Sequence, residues 1–497
     1  MPIVIHTNNL KHHFTRKLLA SAMMLSVMSG CISTQGIHHD QAMRDPGTLG
    51  AQANFAQWPA AQWWQSFSDP VLNQLIEQAI RDNPNVVIAA KRMESASAYA
   101  NAARSALYPQ VNGSVDISRQ RLSENSFYPP PYGGSYQNIA DGSLNASWDL
   151  DFWGKNRSAL QSALSQTEAA QAETAAAKLM ISTAVAQTYY QLAQQVEQQK
   201  LAAQTLKQRE QELSLINARI KTGLDTNVEL QQGKGSLSSA RVDVQTANET
   251  VELTRNALAA LTVQAPQTLT ALEPTLPAIT LQVLPDDIPI DLIARRPDLA
   301  AANARVNAAA ADIATTQADF YPNVSLSAMV GLSSFGLSKF LELGSSVMGV
   351  GPAVHLPIFD AGKLRANLQI KNTDLDIAIT SYNQVLIEAI HDIADQMTSI
   401  KSIHLQSADQ LAALNAAESA YKLSTIRYEA GLTNYLTVLT AEDALIRERS
   451  RMVNLQARTL TLNIALIKSL GGGYNKPETV ELITIIHHKH VTFGQSF

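Results

Sequence analysis

Asp151-Phe152-Trp153-Gly154-Lys155-Asn156-Arg157 and Phe359-Asp360-Ala361-Gly362-Lys363-Leu364-Arg365 open two stretches of chain that contain neither glycine nor proline. One covers residues 155–222, the other 363–430, 68 residues each. They also close alike, on Arg219-Ile220-Lys221-Thr222-Gly223-Leu224 and Arg427-Tyr428-Glu429-Ala430-Gly431-Leu432, and both borders repeat at an offset of 208 residues. Without a breaker each stretch predicts one helix of 155–222 or 363–430, about 100 Å long at 1.5 Å per residue. Ordinary globular helices stop after three or four turns. A rod of that length, made twice, is built to reach across something. The constant offset also makes this chain one duplicated body, not a string of unrelated domains.

The duplication extends both ways from the rods. Gly223 and Gly431 sit where a C′ glycine ends a helix, and Thr226 and Thr433 are placed to cap return helices over 226–264 and 433–470. Gly233 and Gly235 fall inside the first return helix at roughly 1 kcal/mol each against alanine, so looseness is expected there. A narrow apolar seam marks the rods. Ile379, Tyr382, Leu386, Ile390, Ile393, Met397 and Ile400 follow one another by three or four residues, as do Ile181, Val185, Tyr189, Leu192 and Val196. That is coiled-coil spacing; the other faces carry Ala, Gln, Ser and Thr.

Upstream of the rods the period changes. Asp69-Pro70 caps a short helix to Arg81, and Asn83-Pro84 begins an alanine-rich one to about Leu107. Arg296-Pro297-Asp298 begins its counterpart, which runs to Phe320. Then Val111, Gly113, Val115 and Ile117 alternate with polar residues, as do Leu144, Ala146, Trp148 and Leu150. Val324, Leu326, Ala328, Val330 and Leu332 do the same, with a return strand over Val350 to Leu356. This is strand periodicity, and it predicts β-hairpins over 111–150 and 323–358. The proline-rich loop Phe127–Gly134 takes up the extra length of the first. The repeats then cover 56–268 and 286–473, joined by a linker over 269–285, with a tail at 474–497 that carries no pattern.

Strands of about ten residues are long enough to cross a bilayer when tilted. Four of them cannot close a barrel, and lipid does not tolerate an open edge. A spanning barrel therefore has to be shared by several chains.

Composition closes off other classes. The formal charge of −5 and pI near 6.1 offer no basic footprint for nucleic acid. No apolar run of about 18 residues marks a transmembrane helix. Lys11, Arg16 and Lys17 precede an apolar stretch from Leu18 to Met28, then Ser29-Gly30-Cys31. That is a signal peptide over 1–30, followed by a polar leader over 31–55. Cys31 is the only cysteine, so no internal disulfide exists. Metal-ligand spacing, a phosphate-binding glycine loop after a strand and a nucleophile elbow are all missing, so no enzyme, cofactor or metal site is expected. The histidines cluster toward the ends, and His391-Asp392 lies alone in a long helix.

The chain resembles the outer membrane factor family of TolC/OprM-like channels, in particular its lipoprotein branch. The resemblance covers roughly residues 55–473 and rests on several motifs in order. They are the lipobox-like Cys31, Trp148-Asp149-Leu150-Asp151-Phe152-Trp153-Gly154, Arg295-Arg296-Pro297-Asp298-Leu299, Phe320-Tyr321-Pro322-Asn323-Val324-Ser325-Leu326, the Arg427–Leu432 turn and Ser469-Leu470-Gly471-Gly472. It implies a mainly α protein with a membrane β-barrel part. Three copies would share a twelve-stranded barrel and a hollow cylinder of long helices. It implies lipidation of Cys31, outer-membrane sorting and a passive exit duct served by a periplasmic adaptor and an inner-membrane pump. Adaptor docking would fall at Gly223, Leu224, Gly431 and Leu432. The constriction would be ringed by Leu436, Thr437 and Thr440, with Val228 and Glu229 at the equivalent first turn. Many relatives hold acids where this chain has Thr437 and Thr440; Glu229 is either a substitute charge or a solvated surface residue. Two other readings are an outer-membrane component of a type I protein secretion system and a poreless periplasmic adaptor or scaffold.

Overall fold

The computed structural model describes residues 34–49, 51–53, 58–277, 288–289 and 295–476. The signal peptide, Cys31, residues 278–285 of the linker and the tail from 477 onward lie outside them. Seven long or medium helices, each short of an apolar window able to cross a membrane, carry the described fold. They are α1 Pro70–Asp82, α2 Pro84–Ser105, α3 Lys155–Lys221, α4 Asn227–Leu261, α5 Pro297–Ala318, α6 Lys363–Glu429 and α7 Tyr435–Ser469. The duplication is exact in length: α3 and α6 have 67 residues each, α4 and α7 have 35, and α2 and α5 have 22. Four strands complete it: β1 Gln110–Arg121, β2 Tyr136–Asp149, β3 Asn323–Phe335 and β4 Ser346–His355. Ala51–Ala53 also pairs in parallel with Ile288–Pro289.

The chain divides into two compact units, and α3 and α6 each run through both. The first unit holds the strands, which form one antiparallel sheet in the order β1-β2-β3-β4. The two hairpins join through β2 and β3, so β1 and β4 are left as edges. Register places apolar residues opposite apolar residues over much of one face of the sheet. Val111, Val115 and Ile117 face Ala146, Gly142 and Ala140; Leu144 faces Val330, and Val330 faces Met348. On the other face Asn112, Ser114 and Asp116 oppose Asn145, Ser143 and Asp141, and Ser143 opposes Gly331. Strand side chains alternate between faces, so this sheet has one apolar and one polar side. Val115, Met348 and Val350 on the apolar side are about three-quarters exposed, so this chain alone does not cover that side.

Each long helix starts on a cap built from the turn quoted above. Asp151 Oδ1 and Oδ2 accept from the amides of Asn156 and Arg157 at 2.9 and 3.1 Å. Asp360 Oδ2 accepts from the amide of Leu364 at 2.6 Å. The predicted seam residues of both rods are buried, none more than 8% exposed.

The second unit holds α1, α4, α7 and the far parts of α3 and α6. Asp69 caps α1 through the amides of Val71 and Leu72, with Pro70 in the first turn as predicted. Arg296, buried at the start of α5, holds Asp298 at 2.7 Å and donates to the carbonyl of Ser469 at the end of α7. Asp392 joins the same guanidinium at 3.4 Å, so the acid of the His391-Asp392 pair serves as a helix-docking contact. One expectation fails here. Gly233 is a close approach instead of a loose spot: a Cβ there would meet Ile216 Cδ1 at 2.9 Å and Leu213 Cδ1 at 3.2 Å. Gly235, two residues on, meets nothing within 4 Å and has no such packing reason for its glycine.

Candidate gate at the helical turns

The two turns that follow α3 and α6 lie in the second unit. In each, the chain leaves its rod through the same device. The amide of Leu224 bonds the carbonyl of Arg219 at 2.9 Å and that of Gly223 bonds Ile220 at 3.0 Å. The amides of Leu432 and Gly431 do the same to Arg427 and Tyr428, at 2.8 and 3.0 Å. Gly223 and Gly431 take φ of 75° and 73°, the left-handed region that a side chain disfavours. Leu224 and Leu432, next in line, are 63% and 69% exposed. Both turns thus hold a leucine in the open.

The return helices are capped differently. Thr226 makes a full capping box: its hydroxyl accepts from the amide of Val228, and the Glu229 carboxylate accepts from the Thr226 amide at 2.8 Å and from its hydroxyl. The Thr226 hydroxyl and nearby amides hold Glu229 below the usual carboxylate range. Glu229 is therefore fixed as a cap, with its charge committed to the first turn of α4. The second cap is Asn434, not Thr433 as the sequence suggested. The Asn434 carboxamide accepts from the Thr437 amide at 3.3 Å, and it stands at the 208-residue offset from Thr226. Thr433 instead donates to the Thr437 hydroxyl at 3.0 Å.

Of the predicted constriction residues, Val228, Leu436, Thr437 and Thr440 are exposed, while Tyr435 and Val438 between them are buried. The helix thus presents one stripe inward to its own core and the other outward, uncovered. Neither threonine hydroxyl is an idle ligand: Thr437 donates to Asn434 Oδ1 at 3.0 Å and Thr440 to the carbonyl of Leu436 at 2.8 Å.

Behind this stripe lie two charged clusters. Arg219 pairs with Asp225 at 3.0 Å, donates to the carbonyl of Tyr428 at 2.9 Å and lies 4.2 Å from the centre of the Tyr428 ring. The Tyr428 hydroxyl donates to Asp225, which closes the loop between the first turn and the end of α6. Burial and the Asp225 carboxylate push the Tyr428 hydroxyl well above its ordinary value. Deeper in, Arg209 meets Glu442, Glu212 at 3.5 Å and Asp443 at 2.9 Å. The Tyr435 and Tyr421 hydroxyls both donate to the Glu212 carboxylate, at 3.0 and 3.4 Å. Glu442 is 1% exposed. It touches Arg209 as an ion pair, but neither of its oxygens has an aligned donor. Burial, with the neighbouring Glu212 adding to it and Arg209 opposing, raises its carboxyl to about 8.

Sequence reasoning missed both clusters. A signal for the second did exist: Tyr435, Val438, Glu442 and Leu445 follow by 3, 4 and 3, so an acid sits on the apolar stripe of α7. Among the described residues no three His, Cys, Asp or Glu side chains converge as metal ligands.

Comparison with known proteins now adds to this geometry. The sequence profile described as outer membrane efflux protein matches residues 75–272 and 288–472. The chain is similar to the multidrug resistance outer membrane protein MdtQ of Escherichia coli O157:H7, 29% identical over 474 residues, 92% of this chain and 98% of MdtQ. Among solved structures it is similar to the outer membrane protein VceC of Vibrio cholerae, at 35% identity and a TM-score of 0.79, covering 84% of this chain and all of that one. It is also similar to the outer-membrane channel OprN, at 26% identity and a TM-score of 0.77, covering 89% and 98%.

Proposed function

This chain belongs to the outer membrane efflux protein family, and we propose that it is the passive exit duct of a tripartite efflux system, carrying drug-like molecules out through the outer membrane. The observation that carries this reading is the sheet. Its two edges, β1 and β4, are unpaired among the described residues, and its apolar face is exposed. An apolar face with free edges is stable in lipid only when neighbouring chains complete a closed barrel. Three copies supply twelve strands, with the polar face of Asn112, Ser114, Asn145 and Ser143 lining a wet lumen. The long helices then carry the same passage through the periplasm.

The energy comes from elsewhere. An inner-membrane pump drives the cargo, and a periplasmic adaptor seats on Gly223, Leu224, Gly431 and Leu432, whose leucines stand uncovered. Leu436 with Thr437, Thr440 and Val228 forms the constriction. Cys31 carries a lipid that adds a second attachment to the outer membrane. The multidrug label of MdtQ favours small amphipathic molecules over secreted protein as cargo.

The test is reconstitution. Purified protein in planar bilayers is expected to give discrete channels and to migrate as a trimer in mild detergent. A monomer without conductance in a bilayer that accepts other barrels would sink this reading. Deletion of the gene in a cell that keeps its pump and adaptor tests the cargo, since susceptibility to exported compounds should rise.

A further inference from the structure

The leader is held along α6 by polar contacts. None of residues 34–49 is buried, yet three side chains of α6 grip its backbone. Arg365 Nη2 donates to the carbonyl of Gln35 at 3.1 Å. Asp376 Oδ1 accepts from the amides of Asp40 and Gln41 at 3.0 and 2.8 Å. Asn383 accepts from the amide of Arg44 at 2.8 Å and donates to the carbonyl of Ala42 at 3.0 Å. All these residues lie in the first unit.

The spacing is matched on both sides. Positions 365, 376 and 383 are 11 and 7 residues apart, close to three and two turns, which puts them on one stripe of the helix. From 365 to 383 the helix rises about 27 Å. The leader turns at Thr34–Ile37, where the Ile37 amide bonds the Thr34 carbonyl at 3.3 Å, and runs without turn or helix from there to Arg44. From 376 to 383 the helix rises about 10 Å, and from 41 to 44 an extended chain spans about the same, so leader and helix keep pace there in the same direction. Every one of these contacts is to main-chain atoms of the leader, so together they read the register of its backbone.

We propose that Arg365, Asp376 and Asn383 form a main-chain recognition track that fixes the register of the leader on α6. The track sets the height at which an N-terminal lipid leaves the body. Only this last step rests on the lipidation of Cys31. Gln35 is gripped by Arg365 in the first turn of α6, ten residues past the end of β4 at His355. A lipid on Cys31 hangs on four residues from that point, at most about 14 Å of chain. The anchor is thus delivered beside the strands and cannot wander down the rod.

Trypsin tests this, because Arg44 is the sole lysine or arginine between Cys31 and Arg81. In the purified detergent-solubilised protein, cleavage after Arg44 requires the leader to lift off Asn383. The wild-type protein should resist. Asp376→Ala/Asn383→Ala removes the contacts of two of the three track residues while favouring helix in α6, and it should be cut at Arg44 at least about tenfold faster. Asp376→Asn keeps an acceptor oxygen at the same place and should stay near wild type. Equal cleavage of wild type and double variant, fast or slow, overturns the track. Palmitate label on the released 31–44 peptide reports lipidation separately: an unlabelled peptide from a protected leader would remove the lipid and leave the track.

Discussion

Asp225→Ala is the perturbation that bears most directly on the gate. Asp225 and Arg219 are 5% and 9% exposed in their side chains, so removing the carboxylate leaves a guanidinium almost out of water. Breaking such a pair from one side costs about 3–5 kcal/mol. Arg219 keeps the Tyr428 carbonyl at 2.9 Å and the Tyr428 ring at 4.2 Å, which places the cost at the lower end, about 3 kcal/mol. Tyr428→Phe deletes only the hydroxyl that donates to the same carboxylate and should cost about 1.5 kcal/mol. If this cluster holds the first turn against the end of α6 when the gate is closed, about 3 kcal/mol raises the open-to-closed ratio roughly 150-fold. Open probability in planar bilayers reads that ratio. Both substitutions delete one end of the same hydrogen bond, so the double variant should open less than the product of the two single effects. Wild-type gating in Asp225→Ala, alongside a lowered melting temperature, would show that the cluster supports folding and has no part in closure.

The constriction itself is tested by Leu436→Ser, expected to raise single-channel conductance, and by Thr440→Asp, expected to shift selectivity toward cations. A wild-type conductance in the first and unchanged reversal potentials in the second place the narrowest ring elsewhere. Glu442 makes a pH prediction. Its carboxyl is raised from the ordinary 4.5 to about 8, so the folded helix ends bind a proton that the unfolded chain releases. Stability at this site is therefore full below about pH 4.5, declines as pH rises, and is lost above about 8. Glu442→Gln should flatten thermal stability across that window, and a variant as pH-dependent as wild type would show that the proton resides on another group. Val263 ends α4 at φ 55°, where a β-branched residue is strained by about 1–2 kcal/mol. Val263→Gly should therefore raise stability by about 1 kcal/mol in chemical unfolding of the periplasmic helices, and a loss would mean that its half-exposed side chain packs more than its backbone costs.

Much of this was legible from breakers and periodicity. The glycines at 154, 223, 362 and 431 fixed where the rods begin and end, because the left-handed turn needs them and the helix excludes them. Seam residues at spacings of three and four were recovered as buried, since a stripe on a long helix has only one way to leave water. Strand alternation placed the hairpins, although β2 and β4 begin earlier than the alternating residues alone marked: Tyr136 and Ser346 pair through backbone bonds that no side-chain pattern records. The Asn434 cap was misplaced by one residue because Thr433 is an equally good cap by type. Only geometry decides which oxygen reaches the third amide. Gly233 was misjudged because propensity counts a glycine's cost and cannot see the helix that approaches it. Cys31 lies outside the described residues, so its lipidation stays a proposal.

What the sequence hid most completely is where the two repeats disagree. The scaffold is common to both copies: the Schellman turns, the paired helix lengths, the capped rods. The charged clusters are not. At the 208-residue offset, Asp225 corresponds to Thr433, Tyr428 to Ile220, Glu442 to Lys234, and Arg209 and Glu212 to alanines at 417 and 420. A latch such as Arg219–Asp225–Tyr428 can therefore form once per chain and not twice. Three copies around an axis would carry three such latches among six helical turns. Closure by such an arrangement would draw in alternate turns unequally, and opening would require release at only three places. Divergence within the duplicated frame leaves the two turns of one chain chemically unequal.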